Sequence, residues 1–113
     1  MANTFLNAKS DLTTTDLTTL YTVPSATTAI VKSILVSEDA GSGTTIDVTL
    51  VDASSNIFSL FKAKAVGSNT TVELLTQPLI LEESEALKVQ AADANELHAV
   101  ASILEVKPRQ VVT

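Results

Sequence analysis

The sequence predicts an all-β fold: an antiparallel β-sandwich, jelly-roll or immunoglobulin-like, of seven to eight strands with an extended N-terminal arm. Three observations carry this. Short Val/Ile/Leu/Thr runs are cut by small polar turns at intervals of roughly eight to twelve residues, the spacing of antiparallel sandwiches and closed barrels. The apolar side chains are aliphatic: 14 Leu, 12 Val, 6 Ile and 14 Ala stand against 3 Phe, 1 Tyr and no Trp, while 16 Thr suit a pleated surface. Pro24, which has no N–H to give a ladder, marks where a loose Thr-rich lead-in ends and a long β-branched run begins. A chain of 113 residues suffices for a single modest core. It divides into an arm and first short strand over 1–22, a sandwich domain over 23–106 and a tail over 107–113.

The arm is rich in Thr, Asn and Asp, with isolated apolar residues at Phe5, Leu6, Leu12, Leu17 and Leu20. Adjacent Thr residues make a helix there unfavourable, and these apolar groups need either the chain's own sheet or a neighbour to cover them. A short strand is expected at 20–23. Thr28–Ser37 reads as a central strand covered on two sides, because Ile30, Ile34 and Val36 share one parity and Val31 and Leu35 the other. After the loop Glu38–Gly43, Thr44–Asp52 alternates cleanly, with Ile46, Val48 and Leu50 on one face.

Residues 44–65 then read as a hairpin turning at Asp52–Asn56, the facing of Ile57–Ala65 being ambiguous. Strands follow at Thr70–Leu75 and Leu79–Leu81, before the acidic turn Glu82–Glu85. Ala86–Ala91 and Leu97–Val106 are expected to form a closing hairpin, with a helix over 91–105 as the competing reading.

A net charge of -6 opposes binding to nucleic acid or an anionic membrane surface. No apolar run approaches the ~20 residues of a membrane span, and the Met1–Lys9 segment has no basic start before a hydrophobic stretch, so no secretory signal is expected. With no cysteine there is no disulfide, thiolate metal site or Cys nucleophile. The single histidine, His98, sits mid-strand without the partners of a catalytic triad in its pattern.

Carboxylates are dense at Glu82, Glu83 and Glu85 and again at Glu38 and Asp39, but neither group has the spacing of a calcium loop. Asp47, Asp52 and Glu73 have no spacing that would make them an acid–base pair. Lys62 and Lys64 read as charges guarding a sheet edge. The reading is therefore a non-enzyme with no catalytic, metal-binding or cofactor-binding residues and no cofactor.

The segment Thr19-Leu20-Tyr21-Thr22-Val23-Pro24-Ser25-Ala26-Thr27-Thr28-Ala29-Ile30-Val31-Lys32-Ser33-Ile34-Leu35-Val36-Ser37 resembles small β-sandwich virion proteins of tailed bacteriophages, of the type found in phages of marine and cyanobacterial hosts. Thr70–Glu82 and Leu87–Glu105 are similar too, so the resemblance covers most of 19–105. Where such proteins commonly carry a Gly-Asp pair before the last hairpin, this chain has Glu83-Ser84-Glu85, and a different turn type is expected.

The resemblance implies a non-catalytic structural role in the virion, assembled in the host cytoplasm. A capsid decoration or cement protein is the foremost form, with a neck, tail or fibre component as the alternative. Its partners would be copies of itself, as a trimer or hexamer, and the major capsid protein or tail and neck proteins. Phe5, Leu6, Leu12 and Leu17 at one end, with Val111 and Val112 at the other, are the expected contacts between chains. On that view removing residues 1–18 leaves a folded domain that no longer assembles. A carbohydrate-binding or adhesive module is the rival from another class, with Tyr21, Phe58 and Phe61 as its only aromatic candidates.

Overall fold

Strand pairing in this chain is nested, the first strand joining the last and the second the next to last, inward to a central hairpin. The computed structural model describes residues 3–107, and these contain nine strands: β1 (Asn3–Leu12), β2 (Thr18–Thr22), β3 (Thr28–Glu38), β4 (Thr44–Val51), β5 (Ile57–Val66), β6 (Thr71–Glu73), β7 (Leu79–Leu81), β8 (Ala86–Ala91) and β9 (Leu97–Val106). One sheet has the order β1-β9-β3, with β6 and β7 both on the far side of β3; the other has the order β2-β8-β4-β5. Every pairing is antiparallel. This is a long two-stranded ribbon rolled into two layers. Of the two topologies expected, it is the jelly roll.

The alternation in β4 and β8 falls as the sequence predicts. Ile46, Val48, Leu87 and Val89 are fully buried. They meet Ala29, Val31, Ile34 and Val36 of β3 and Leu97, Ala99, Ala101 and Ile103 of β9 in one aliphatic core. Tyr21 and Phe61 only flank it.

Four expectations are corrected. Asn3–Leu12 is not an arm outside the sandwich: it pairs with β9 through ten consecutive residues, and Leu12 is a core residue at 1% exposure. The strand count is nine because this segment adds one. Ala86–Ala91 and Leu97–Val106 are strands and not helix, yet they do not form a hairpin. The chain between them crosses from one layer to the other, β8 pairing with β2 and β4, and β9 with β1 and β3.

Nor is β3 covered on both sides. Its register against β9 shifts between Val31 and Ser33, so Lys32 is an extra residue and the inward parity changes from Ala29 and Val31 to Ile34, Val36 and Glu38. A bulge makes one buried face look like two in a parity count. The ambiguous facing of β5 has the same cause, with two register shifts against β4.

The bulge in β3 also divides its far edge. β7 pairs with residues 29–31 and β6 with 35–37, leaving the Ile34 N–H between them without a strand partner. Glu73 fills the gap, its carboxylate accepting from the Ile34 N–H at 2.8 Å, the Leu75 N–H at 3.1 Å and the Ser33 hydroxyl. Desolvation pushes this carboxyl up, but the three donors outweigh it and hold it below the usual range.

The acidic turn is built from its own backbone. Glu85 N–H donates to the Glu82 carbonyl at 3.0 Å, Glu82 N–H donates to the Glu85 carboxylate at 2.8 Å, and Ser84 N–H donates to the Val23 carbonyl at 3.1 Å. Ser84 takes a left-handed φ of 69°, a conformation that costs an L-residue roughly 1 kcal/mol and glycine almost nothing. Ser84→Gly is therefore expected to stabilise the fold by up to about 1 kcal/mol, less the entropy glycine adds to the unfolded chain. Urea denaturation checks this: the midpoint should rise with the slope unchanged.

Candidate functional site

The outer face of the five-stranded sheet carries a row of apolar residues that crosses four strands. Phe5 of β1 is opposite Leu104 of β9, Leu104 is opposite Ile30 of β3, and Ile30 is opposite Ile80 of β7. Phe5 is 75% exposed and Ile80 52%, while Leu104 and Ile30 are half-buried by their neighbours. Val106 extends the patch on one side. A polar row of Asn7, Ser102 and Ser33 lies on the other, followed by Val100 and Leu35. In a jelly roll the inward side of each strand fills the core and the outward side is normally polar, so apolar groups placed outward in register are not required by the fold.

The farthest row of this face holds Asp11, His98 and Ser37. An acid, an imidazole and a hydroxyl in line would suggest nucleophilic catalysis, but the geometry is otherwise. His98 Nε2 faces Asp11 at 3.2 Å and Nδ1 faces Asp39 at 3.6 Å, so both ring nitrogens are turned to carboxylates and neither to Ser37. Each carboxylate faces a different ring nitrogen. Among the described residues no three His, Cys, Asp or Glu groups are placed to hold a metal ion.

The other acidic positions are bound into the scaffold. Glu38 is turned inward at 2% exposure. Its carboxylate accepts from the N–H groups of Asn69 at 2.8 Å, Ala40 and Gly41 at 3.1 Å and Ser42 at 3.3 Å. The Asn69 bond, reinforced by those from Ser42, Gly41 and Ala40, holds this carboxyl below the usual range against the opposing effect of desolvation. Asp52 organises the β4–β5 turn, its Oδ1 accepting from the N–H groups of Asn56 and Ser54 at 2.9 Å, and is held low chiefly by Asn56.

The outer face of the four-stranded sheet has an open groove of about 480 Å³ lined in part by Leu17, Asp47, Thr49, Ile57 and Lys62. Most of its polar groups are paired within the chain, the exception being the buried Thr49 hydroxyl, which has no hydrogen-bond partner among the described residues. Asp47 accepts from the Ala63 N–H at 2.7 Å and pairs with Lys62 at 3.4 Å, and Gln90 donates to the Thr15 carbonyl at 2.9 Å. Phe5 is the one exposed aromatic ring on the outer face of the five-stranded sheet, and none of the three aromatic residues expected to bind a sugar forms a platform. The Tyr21 hydroxyl is spent on the buried Glu105 carboxylate at 2.5 Å; desolvation, with that bond, pushes its pKa far up. Phe61 packs on the core, and Phe58, 53% exposed, stands alone on the β5 edge.

The expected contact residues that lie within the described part of the chain do not form one surface. Phe5 lies on the outer face of β1, Leu6 faces inward against the core and Leu12 is inside it. Leu17, 47% exposed, borders the groove of the opposite sheet. Val111 and Val112 lie outside the described residues. Sequence reasoning missed Ile30, Ile80 and Leu104. Period-two parity alone points to Ile80 and Leu104, but Ile30 is masked by the bulge at Lys32.

The sequence matches no protein-family model and no curated protein. Among solved structures, the chain is similar to the C-terminal family 22 carbohydrate-binding module of Clostridium thermocellum Xyn10B, with 22% identity over 80% of this chain and 60% of that one and a TM-score of 0.42. It spans about three fifths of that module's length. It is also similar to the protein of the Macrobrachium rosenbergii extra small virus particle, with 11% identity over 96% of this chain and 80% of that one and a TM-score of 0.40. Infectious bursal disease virus Gt strain gives 8% identity, 95% and 31% coverage and a TM-score of 0.42. All three TM-scores lie below 0.5, and these similarities establish neither a family nor a role.

Proposed function

We propose that this protein is a non-catalytic structural component of a tailed-phage virion, a capsid decoration or cement protein that binds the particle through the outer face of its five-stranded sheet. The observation that carries this reading is the cross-strand row Phe5, Leu104, Ile30 and Ile80: apolar, outward and in register. An exposed apolar band of this kind marks a surface made to be covered. The resemblance of residues 19–105 to phage virion modules supports a structural role in the virion, and the capsid surface is the covering partner this reading proposes. Copies of the chain assemble there as a homo-oligomer in the virion.

Cosedimentation of the purified chain with capsids of the phage that encodes it tests this. Binding is expected, and Ile80→Lys, on a short edge strand where a charge is tolerated by the fold, should weaken it at least tenfold. Retention on isolated tails or necks but not on capsids would move the protein to that part of the virion. Binding to a glycan array, abolished by Phe58→Ala and indifferent to Ile80→Lys, would establish the adhesive-module reading instead.

A further inference from the structure

Each sheet has two edges, and they differ in how well they are protected against pairing. On the far side of β3 the edge is broken into two three-residue strands with Pro78 before the second. β2 is five residues long and its register shifts at Leu20. β5 is ten residues long but has two register shifts, a left-handed residue at Ala63 with φ 53°, and Lys62 and Lys64. Short length, bulges and lysines are the usual devices that prevent an edge from acquiring a further strand.

β1 is neither short nor bulged, and its one lysine, Lys9, is the only such device on it. Its ten residues pair with β9 without a shift, it contains no proline and no positive φ, and its other side is an open ladder. Phe5, the most exposed large apolar residue among those described, stands on this edge at the end of the apolar row.

We propose that β1 docks against β1 of a second copy of this chain, antiparallel about a two-fold axis at Asn7, so that two five-stranded sheets become one continuous sheet. The inference rests on the reading that copies of the chain assemble, and it specifies how. Residues on the same face must be opposite each other. Pairing about Asn7 meets this condition, keeps nearly the whole strand in register, and places Phe5 against Lys9 of the other copy, Asn3 against Asp11, and Leu6 against Ala8.

The charge pattern favours this edge over the others. Phe5 receives the Lys9 stem and ammonium, a cation–π contact, and no like charges meet. In β5 the same operation about Ala63 would set Lys62 against Lys64. Across the axis the row Ile80, Ile30, Leu104 and Phe5 continues into Lys9, Val100 and Leu35 of the other copy, so one wide apolar band serves the particle-binding face.

The absence of native cysteines makes the register directly readable. In Asn7→Cys the two sulfurs face each other across the axis, and mild oxidation or a short bis-maleimide should give covalent dimers. Lys9→Cys, which faces Phe5, and Ser59→Cys on β5 should not. Light scattering should show a dimer or an even multiple of it. Phe5→Lys should weaken self-association at least tenfold and leave the melting temperature unchanged at dilutions where both proteins are monomeric, since Phe5 is largely exposed within its own chain.

A monomer at every concentration up to saturation, a trimer, cross-linking through Ser59→Cys alone, or association indifferent to Phe5→Lys would each overturn the proposal. Dimers that cross-link at Asn7→Cys but do not bind capsids would leave this pairing standing and remove the virion reading. Capsid binding by a monomer would do the reverse.

Discussion

Glu38→Gln is expected to lower the melting temperature by on the order of 10 °C and to flatten the acid limb of the stability profile. Four backbone N–H groups converge on this carboxylate from two loops, three of them from successive residues Ala40, Gly41 and Ser42 and one from Asn69. Such a nest of donors suits an anion. An amide offers only one accepting oxygen and aims its own N–H₂ at donors, and it cannot be rescued by water because the site is buried.

The pH dependence follows from the direction of the shift. The folded carboxyl titrates below the usual glutamate value because its donors favour the charged form. Its contribution is therefore complete above the unfolded glutamate range and is lost as pH falls through the depressed folded value. Asp52 and Glu73 are depressed in the same direction and contribute to the same acid limb. Thermal denaturation of both proteins between neutral pH and pH 3 tests this. Equal slopes in wild type and variant would show that Glu38 is not the principal acid-sensitive group.

Deletion of residues 1–12 should abolish the folded state, contrary to what an arm outside the domain would allow. The deletion removes all ten partners of β9 on one side and takes Leu12 out of the core. A leucine lost from a core costs roughly 2–5 kcal/mol by itself. An open ladder along β9 adds to this, in a molecule whose whole stability is on the order of 5–15 kcal/mol. Circular dichroism and one-dimensional proton spectra decide the matter: a dispersed spectrum from the truncated chain would overturn the integral-strand interpretation. This result also separates folding from assembly, because Phe5→Lys perturbs the outer side of the same strand without touching its inner side.

Much of the architecture was legible because burial imposes a period. β4 and β8 alternate without interruption, and their buried faces follow directly from Ile46, Val48, Leu87 and Val89. β1 was harder to see. Its inward positions Leu6, Ala8, Ser10 and Leu12 do alternate with outward ones, but Phe5 lies on the outward side and conceals the period. The apolar row was partly hidden by Lys32, where one extra residue reverses the parity of β3. Local pattern cannot register an insertion whose only signature is the strand opposite.

What the sequence by itself determined is the β class, the positions of most strands and the absence of cysteine chemistry, since these depend on side-chain branching, period and composition. What only the tertiary structure decided is which strands are neighbours. Ala86–Ala91 and Leu97–Val106 are adjacent in the chain yet belong to opposite layers, because a strand's local pattern states which face is buried and not which edge it joins. The placement of Phe5, Leu104, Ile30 and Ile80 in one row likewise arises from register between segments distant in sequence, and register is a property of the assembled sheet.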